Sequence, residues 1–578
     1  MIPADLIFTG GNVITLDAES TTAEALAIHD GAIIGVGTTM DMLALAGENT
    51  RVVDLDGGTV IPGINDSHCH AVSYGLARPP LTLDLSFPNV RSIADIARAV
   101  EQAAEDAEPG QWIVGAGWDT GYLDECLADH DRHPTRQDLD PVSPNNPVFL
   151  QDFSYHTAWV NSAALEIAGI NSATVAPPGS MIITGDDGRP TGILNEGAQR
   201  DLADRLPGAT DETREIAIRT SLRTFAALGI TSITEPGLGP GDASGGMGTG
   251  GLRVYERLAA RGELTVRVSA LLFPVAMSKG YDDFRTALDG LDRELEADSR
   301  LLRVIGVKML ADGIPPNKTA WMHDHYIGGG HGGLTVPGES EESRIRELRR
   351  MIAHAHKAGY QVGVHVTGDR GIDEVVDAFV EAVEAHPRKD PRHYVIHGDF
   401  ATHRSITACA ANGFGINMNP TIKWTIADLE EDIVGPTRAA YEWPYRDAID
   451  AGVIVASGSD APVTEPDWRQ GVSTMMLRAS KASGRISGPE QRITLDEALR
   501  TYTINGAWQD FADDWKGSLE PGKVADLCVL REDLAQIAAE DIPHVTITMT
   551  VLGGNIIYER KTSNGPSLSV SPVGTEPV

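Results

Sequence analysis

The chain has 578 residues, 42% hydrophobic and 22% charged, so it can bury one large core and an accessory domain. Its 82 acidic residues against 47 lysines and arginines give a formal net charge of -35, which argues against nucleic acid or an anionic membrane as a partner. No basic segment followed by an apolar one opens the sequence, and no run of about 18 apolar residues occurs. Its cysteines form no CxxC pair, which suits a reducing compartment. We therefore expect a soluble, cytoplasmic protein.

The first part of the chain has the pattern of antiparallel strands. Residues 1–60 contain ADLIFTGGNVITLD and ALAIHDGAIIGVG, which alternate apolar and polar residues around glycine-containing turns. The next run is PGINDSHCH, predicted as a buried strand that ends at His70. Residues 71–210 carry helix and strand signals of their own. They are predicted to be an insertion on a βα loop, placed over the active-site face of a barrel.

Seven further strands alternate with amphipathic helices in the middle of the chain. They are GITSITEPG, LTVRVSALLF, RVIGVKMLADG, QVGVHVTGD, HYVIHGDF, FGINMNP and GVIVASGSD. Alternation of strands with crossover helices predicts an α/β fold with parallel strands. With the strand ending at His70 there are eight units, so residues 61–516 are predicted to close as a (β/α)8 TIM-like barrel.

The C-terminal region returns to the antiparallel pattern. Residues 517–560 include GSLEPGKVADLCVL and VTITMTVLGGNIIYE, so we expect them to join residues 1–60 in one composite β-sandwich domain. Residues 562–578 are rich in Pro, Ser and Gly and are predicted to be disordered.

Metal-binding side chains lie at the ends of the predicted barrel strands. His68 and His70 are two residues apart on one strand, so both point to the same face. His365, His397 and Asp460 lie at or near the ends of strands five, six and eight, where this fold places its catalytic groups. A single strand histidine is often just a packed core residue. Four imidazoles and a carboxylate converging on one rim predict a transition-metal site.

Lys308 lies inside the apolar run VIGVKML of the fourth strand. Burying an unpaired ammonium is costly, so the group finds a partner or loses its charge. A neutral amine can add carbon dioxide and become a carbamate, an anionic ligand able to bridge two metals. Six potential ligands exceed what one ion needs, so we predict two Zn²⁺ ions and an N6-carboxylysine at Lys308. The alternative is that Lys308 reaches solvent or pairs with Asp312.

Several motifs together resemble the amidohydrolase superfamily, in particular the amidohydrolase-3 branch that includes N-substituted formamide deformylases. They are SHCH, the strand-four lysine in VKMLADG, VHVTGDRG, VIHGDF, ASGSDAPV and GSLEPGKVADLCVL, and the likeness extends into the insertion at GAGWD and HTAWVNSAAL. The resemblance implies a metal-dependent hydrolase with a composite β-domain and with the histidines, Asp460 and Lys308 at its metal site. Ile396 stands where the family often has Glu, and Lys318 where the branch usually has Arg, which bears on the pocket more than on the metal.

These features predict hydrolysis of a C–N bond, in an amide, formamide, urea or carbamate of a small neutral substrate, through a metal-bound hydroxide. Asp460 is predicted to accept the water proton and deliver it to the leaving nitrogen, and His397 or a pocket histidine to steady the oxyanion. A hydrolytic deaminase or cyclic amidase of a heterocycle remains an alternative on the same scaffold. A catalytically inactive assembly protein is an alternative of another class, although it should have lost ligands. We expect a homo-oligomer, with a dimer favoured.

Substrate contacts are predicted in two regions. The residues concerned are Trp118, Asp119, His156, Trp159 and Asn161 in the insertion, and His323 and His325 in the loop after strand four. Together with Tyr122, Phe153 and Tyr155, the insertion aromatics predict a mostly apolar pocket. The alternatives are packing within the insertion for the first group and exposed loop histidines for the second.

Overall fold

The computed structural model describes residues 2–152, 157–176, 181–195, 198–199, 202, 205–239, 249–275, 279–291 and 293–561. The chain divides into two compact units, one of Met1–His70 with Leu222–Val578 and the other of Ala71–Ser221. His156, Phe153, Tyr155 and the C-terminal tail 562–578 lie outside the described residues. None of the described helices combines the length and hydrophobicity that a bilayer span requires.

The first 70 residues form short strands and one helix. These are β1 (Ala4–Thr9), β2 (Asn12–Ile14), β3 (Thr22–Ala23), β4 (Ala25–His29), β5 (Ala32–Gly37), α1 (Thr39–Leu43), β6 (Ala46–Asp54), β7 (Thr59–Pro62) and β8 (Ile64–Asp66). Strands β5, β4, β1 and β6 make a four-stranded sheet in that order.

The unit Ala71–Ser221 is built on a mixed sheet. Its described elements are α2 (Ala71–Leu76), β9 (Leu83–Asp84), α3 (Ile93–Asp106), β10 (Ile113–Trp118), α4 (Asp124–Ala128), α5 (Arg136–Leu139), β11 (Val148–Asp152), β12 (Thr157–Val160), α6 (Ser162–Ala168), β13 (Met181–Thr184) and β14 (Pro190–Asn195). The helix α7 (Asp211–Ala227) begins within it. The sheet order is β13-β14-β12-β11-β10-β9, with β9, β10 and β11 parallel and the rest antiparallel.

The middle of the chain forms a barrel, as the alternation of strands and helices predicts. Its elements are β15 (Ile230–Leu238), α8 (Thr249–Ala260), β16 (Arg267–Leu272), α9 (Tyr281–Asp289), β17 (Leu302–Leu310), α10 (Glu341–Lys357), β18 (Gln361–Val366), α11 (Asp369–Ala385), β19 (Tyr394–His397), α12 (His403–Asn412), β20 (Gly415–Met418), α13 (Pro420–Val434), α14 (Pro436–Ala440), α15 (Tyr445–Asp450), β21 (Val455–Ser457) and α16 (Trp468–Leu477). Strands β8 and β15 to β21 pair in sequence order, all parallel. The (β/α)8 prediction is confirmed.

The C-terminal elements complete a sheet that the first residues begin. They are α17 (Leu495–Thr501), α18 (Ile504–Gln509), β22 (Leu527–Leu530), β23 (Ile547–Leu552) and β24 (Asn555–Glu559). The sheet order is β24-β23-β22-β7-β2-β3, in which β22 runs antiparallel to β7. Phe8, Val60, Leu527 and Val551 share one buried cluster, so strands from both chain ends bury a common core. The composite β-sandwich of the predicted fold is confirmed.

The first barrel strand is shorter than its hydrophobic pattern suggests. It ends at Asp66, so His68 and His70 follow the strand instead of lying on it. Here the first barrel segment meets the last one and closes the barrel. Ser67 N donates to Ser457 O at 3.2 Å, and Asp460 N donates to His68 O at 2.8 Å. Gly458 permits this approach, since a Cβ at that position would lie 2.5 Å from His68 N.

Candidate metal centre

Five of the predicted ligands meet at the rim of the barrel. Donor atoms of His68, His397 and Asp460 lie within 4.8 Å of one another, and all three residues are buried. Asp460 Oδ1 is 3.2 Å from His68 Nε2 and 3.3 Å from His70 Nε2. The ring of His365 lies 4.5 Å from that of His397, centroid to centroid. The rim therefore gathers four imidazoles around one carboxylate.

Two of these ligands have an unusual backbone conformation. His397 is the last residue of β19 and has φ 77°, and Asp460, three residues after β21, has φ 56°. Left-handed backbone at a residue other than glycine costs about 1–3 kcal/mol and persists only where the surroundings hold it. Strain of this kind concentrates at functional sites.

Hydrogen bonds fix which nitrogen of His397 is free. Asn419 Nδ2 donates to Gly458 O at 2.8 Å, which turns its Oδ1 toward His397 Nδ1 at 2.7 Å. Since an amide oxygen only accepts, His397 carries its proton on Nδ1 and presents a lone pair on Nε2. Asn419 is a site residue that the sequence analysis missed, although it is a polar residue directly after a buried strand, at the rim.

His365 is oriented in the same manner from the opposite nitrogen. Its Nε2 lies 3.1 Å from Gly313 O, so Nε2 donates and Nδ1 keeps the lone pair. His68 differs, because its buried Nδ1 has no hydrogen-bond partner among the described residues, and its Nε2 approaches Asp460 Oδ1 at 3.2 Å without hydrogen-bond geometry. Buried polar atoms without partners are costly, and a bound cation would satisfy this ring.

The protonation states suit metal ligands. Burial lowers the pKa of His68 to about 3 and that of His365 to about 4, with the Lys308 charge acting in the same direction. Burial also holds the pKa of His397 well below its ordinary value. For Asp460 burial raises the pKa, but the surrounding imidazoles outweigh it and hold the pKa well below its usual range. Neutral imidazoles beside an ionised carboxylate are the forms that bind metals.

Lys308 lies within electrostatic reach of the same cluster. It is 3% exposed on β17, and its charge acts on His68, His365, His397 and Asp460. Burial lowers the pKa of the Lys308 amine to about 7, against the opposing effect of Asp460. Its burial excludes the solvent-reaching alternative.

Pairing of Lys308 with Asp312 is also not seen among the described residues. The Asp312 carboxylate instead accepts backbone N–H groups of Trp321, Thr367 and Gly368 at 2.8 to 3.0 Å. Asp312 therefore organises the loops after β17 and β18.

The unit Ala71–Ser221 has a cavity of its own. Its volume is about 810 Å³, and its lining includes Trp118, Asp119, Ile183 and Ile193. The indole nitrogen of Trp118 is engaged, since Nε1 donates to Leu150 O at 2.9 Å. Trp118 and Asp119 therefore line a space large enough for a small organic molecule.

Trp159 and Asn161 serve the core of this unit and are corrections to the predicted substrate contacts. Trp159 is fully buried and donates Nε1 to Thr135 O at 2.9 Å. Asn161 is 1% exposed and caps α6, and its amide oxygen accepts Val148 N–H and Ala164 N–H while its Nδ2 donates to two carbonyls. With every polar atom engaged, neither side chain is available to a ligand.

The loop histidines are not part of the donor group formed by His68, His397 and Asp460. His323 is half-exposed, with Nε2 3.2 Å from Asp373 Oδ2. His325 is exposed and packs edge-on against His331 at 5.5 Å between centroids. Among the described residues, the one group of three or more closely spaced metal-type donors is that of His68, His397 and Asp460. The geometry agrees with exposed loop histidines and shows no second donor group there.

Comparison with known proteins finds likeness over nearly the whole chain. Residues 51–558 match the model of the amidohydrolase family. The N-substituted formamide deformylase of Arthrobacter pascens is 30% identical over 97% of this chain and 99% of that protein. An uncharacterized metal-dependent hydrolase from Pyrococcus furiosus has a TM-score of 0.71 at 23% identity, covering 91% of this chain and 99% of that one. Atrazine chlorohydrolase from Arthrobacter aurescens TC1, solved with zinc, has a TM-score of 0.51 at 15% identity, covering 96% and 95%.

Proposed function

The chain belongs to the amidohydrolase family and is a hydrolase of carbon–nitrogen bonds other than peptide bonds, and we propose that its substrate is a small neutral amide, formamide, urea or carbamate. The observation that carries the proposal is the buried donor set of His68, His397 and Asp460 with its fixed protonation states. The name of the Arthrobacter relative supports the formamide end of this range.

The proposed cofactor is a pair of zinc ions. Their ligands would be His68, His70, His365, His397, Asp460 and Lys308 as a carbamate. The donor set fits because burial keeps His68, His365 and His397 neutral and because His68 Nδ1 lacks a hydrogen-bond partner among the described residues. Bound zinc would polarise the substrate carbonyl and make water a stronger acid. The zinc in the structure of the Arthrobacter aurescens chlorohydrolase supports the choice of metal.

Carboxylation of Lys308 is part of the proposal. The neutral amine attacks carbon dioxide, a N–C bond forms, one proton leaves to solvent, and an anionic carbamate results. The environment of the amine supports this step, since Nζ is buried, has no hydrogen bond or ion pair within the described residues, and is close enough to the candidate ligands to affect them electrostatically. The carbamate would bring negative charge to a cluster whose other ligands are mostly neutral.

Asp460 is the proposed proton carrier. Its carboxylate is ionised and touches two imidazoles, so it can accept a proton from the attacking water and return it to the leaving nitrogen. His397 does not suit the oxyanion role that the sequence suggested. Its N–H is held by Asn419 and its free nitrogen has only a lone pair, which is the form of a ligand.

Trp118 and Asp119 are the proposed substrate contacts. They line the cavity together with Ile183 and Ile193, and Asp131, Arg132, His133 and Asp152 also line it, so an aromatic ring and aliphatic groups lie among charged side chains. An aromatic or aliphatic N-substituent would suit such a lining.

A matched substrate panel tests the proposal. Purified enzyme of measured zinc content is offered N-benzyl and N-aryl formamides, amides, ureas and carbamates beside charged or phosphorylated amides, and amine release is followed. We expect the highest kcat/KM for neutral N-benzyl or N-aryl compounds and a changed preference in Trp118→Ala. Trp159→Ala is the control that should lower stability alone. Preference for charged amides, or ammonia release from heterocycles in place of amine release from amides, would contradict the substrate class.

A further inference from the structure

Polar side chains from the end of α18 and the residues after it reach the barrel interior. Gln509, Asp510 and Lys516, here called the polar plug, are 1%, 0% and 4% exposed. Asp510 accepts Thr234 Oγ1–H at 2.7 Å, Asn65 Nδ2–H at 2.9 Å and Lys516 Nζ–H at 2.9 Å. Because Asn65 and Thr234 lie on adjacent barrel strands, the plug holds the start of the barrel from inside.

Gln509 contacts Ser67, the residue immediately before residues 68–70, which carry His68 and His70 and are here called the ligand segment. Its Nε2 donates to Ser67 O at 2.8 Å and lies 3.2 Å from Thr234 Oγ1. Its Oε1 accepts from Asn417 Nδ2 at 2.9 Å, and that nitrogen also approaches Ser67 O at 3.1 Å and Ser67 Oγ at 2.8 Å. Ser67 Oγ in turn donates to Ser457 O at 2.6 Å. Two buried amides thus hold one backbone carbonyl.

That carbonyl lies where strand pairing stops. β8 ends at Asp66, and the ligand segment begins at His68. Because a peptide unit is planar, a fixed Ser67 oxygen also fixes His68 N and the direction in which the ligand segment leaves the strand. From the other side, His68 O and His70 N are bonded to Asp460 N and Ala461 O. The ligand segment is therefore held at both ends.

We propose that Gln509 is a positioning residue for the metal centre, which sets the approach of His68 and His70 through the Ser67 peptide. The inference rests on the proposed metal site but needs no particular substrate. An apolar side chain of similar length would fill the same space without the cost of desolvating an amide. The Gln509 amide therefore contributes what an apolar group cannot, a hydrogen bond that fixes the direction of the Ser67 carbonyl. Groups that orient metal ligands typically change metal affinity by about 10–100-fold when removed.

Gln361 provides a matched control. It is also 1% exposed inside the barrel, and its Nε2 donates to Gln509 O at 2.9 Å and to Arg392 O at 2.7 Å. Among the described contacts, none joins its side chain to Ser67. Gln509→Met and Gln361→Met each remove one buried amide of the same size.

The experiment measures the Kd of metal-free protein for Zn²⁺ by competition with a chromophoric chelator, alongside the Tm of each variant without metal. Both variants should lower the Tm, but only Gln509→Met should raise the Kd, by about 10–100-fold. An unchanged Kd in Gln509→Met, or an equal rise in Gln361→Met, overturns the assignment.

Gln509→Asn keeps the test decisive if Gln509→Met does not fold. It keeps a buried amide but is one methylene shorter, so the bond from the side-chain nitrogen to Ser67 O is lost and a rise in Kd of about 10–100-fold is expected. A wild-type Kd in this variant overturns the positioning role. Wild-type protein that binds no Zn²⁺ would overturn the metal centre together with this role. Failure of the substrate panel alone leaves the Kd comparison intact, so the two proposals fail separately.

Discussion

Asp460 has two proposed roles, metal ligand and proton carrier, and one substitution separates them. Asp460→Asn keeps the shape and one coordinating oxygen while removing the base. We expect kcat to fall by about 10²–10⁴-fold, the usual contribution of general acid–base catalysis, with a much smaller loss of zinc. Steady-state kinetics and metal analysis measure the two effects. Asp526→Asn, which removes a buried carboxylate paired with Arg267 at 2.7 Å, should lower stability and spare kcat. A near wild-type kcat in Asp460→Asn would remove this residue from the mechanism.

Lys308 gives the second test at the scale of single residues. Lys308→Ala should lower zinc content and turnover. The loss should exceed the factor of about 10–100 that is typical when a residue that only orients a metal ligand is removed. Added acetate or propionate should restore part of both, because a short carboxylate can occupy the space of the carbamate. Lys423→Met is the control, since it removes another buried lysine, 3.2 Å from Glu442, and should show no rescue. Full zinc and full turnover in Lys308→Ala would exclude the carbamate.

At the scale of elements, the glycine-rich turn after β17 shows how local strain and packing add. Gly329 has φ +97° with nothing within 4 Å of a built Cβ, whereas Gly332 has φ +68° and its Cβ would lie 2.0 Å from Ala320 O. Gly329→Ala should cost about 1–2 kcal/mol of unfolding free energy, from backbone strain alone. Gly332→Ala should cost about 2–5 kcal/mol, because the clash adds to the strain. Urea unfolding measures both, and equal losses would show that the turn relaxes freely.

The packing of α10 against β18 and β19 predicts a pH dependence. His393 Nδ1 accepts Val362 N–H at 3.0 Å, so its Nε2 donates to His356 Nδ1 at 2.8 Å, and His356 Nε2 donates to His386 O at 2.7 Å. Burial lowers the pKa of both rings, that of His393 well below its ordinary value. Below about pH 6.5 these two histidines bind protons in the unfolded chain but stay neutral in the folded protein, so the free energy of unfolding falls as the pH falls.

Comparison with His393→Phe isolates this pair from other acid-sensitive groups. The new ring would pack beside Phe379 and Phe414, which already lie within 5.2 and 5.8 Å of the imidazole. The variant should be less stable at pH 8, and its Tm deficit should shrink toward pH 5.5. Parallel Tm curves would mean that the pair does not control the acid response.

For the whole molecule, the net charge of -35 destabilises the fold through long-range repulsion, whereas local ion pairs stabilise it. Salt screens the repulsion, since the Debye length falls from about 10 Å at 0.1 M to about 3 Å at 1 M. The same salt weakens surface pairs such as Arg349 with Glu374, but each contributes at most about 1 kcal/mol. We expect the Tm to rise by a few degrees between 0.1 and 1 M NaCl, as measured by calorimetry. A falling Tm would show that the local pairs dominate.

The sequence by itself determined the barrel, the composite β-sandwich and where most of the candidate metal-binding residues gather. Strand and helix periodicities are local properties, and eight parallel strands bring their carboxyl ends to one rim whatever the intervening loops do. His365, His397 and Asp460 could therefore be assigned to one site from their places at strand ends. The end of β8 was misplaced, because closure of the barrel against Ser457 stops the strand earlier than its apolar pattern does.

Only the tertiary structure decided how those candidate ligands are held. The free nitrogen of His397 depends on Asn419 and Gly458, and the peptide before His68 depends on Gln509, which lies near the other end of the chain. It also assigned Trp159 and Asn161 to a core instead of a pocket. The physical reason is that a hydrogen bond requires a partner in a specific direction, and burial requires surrounding side chains. In both cases the partners are far apart in sequence and come together only when the chain has folded.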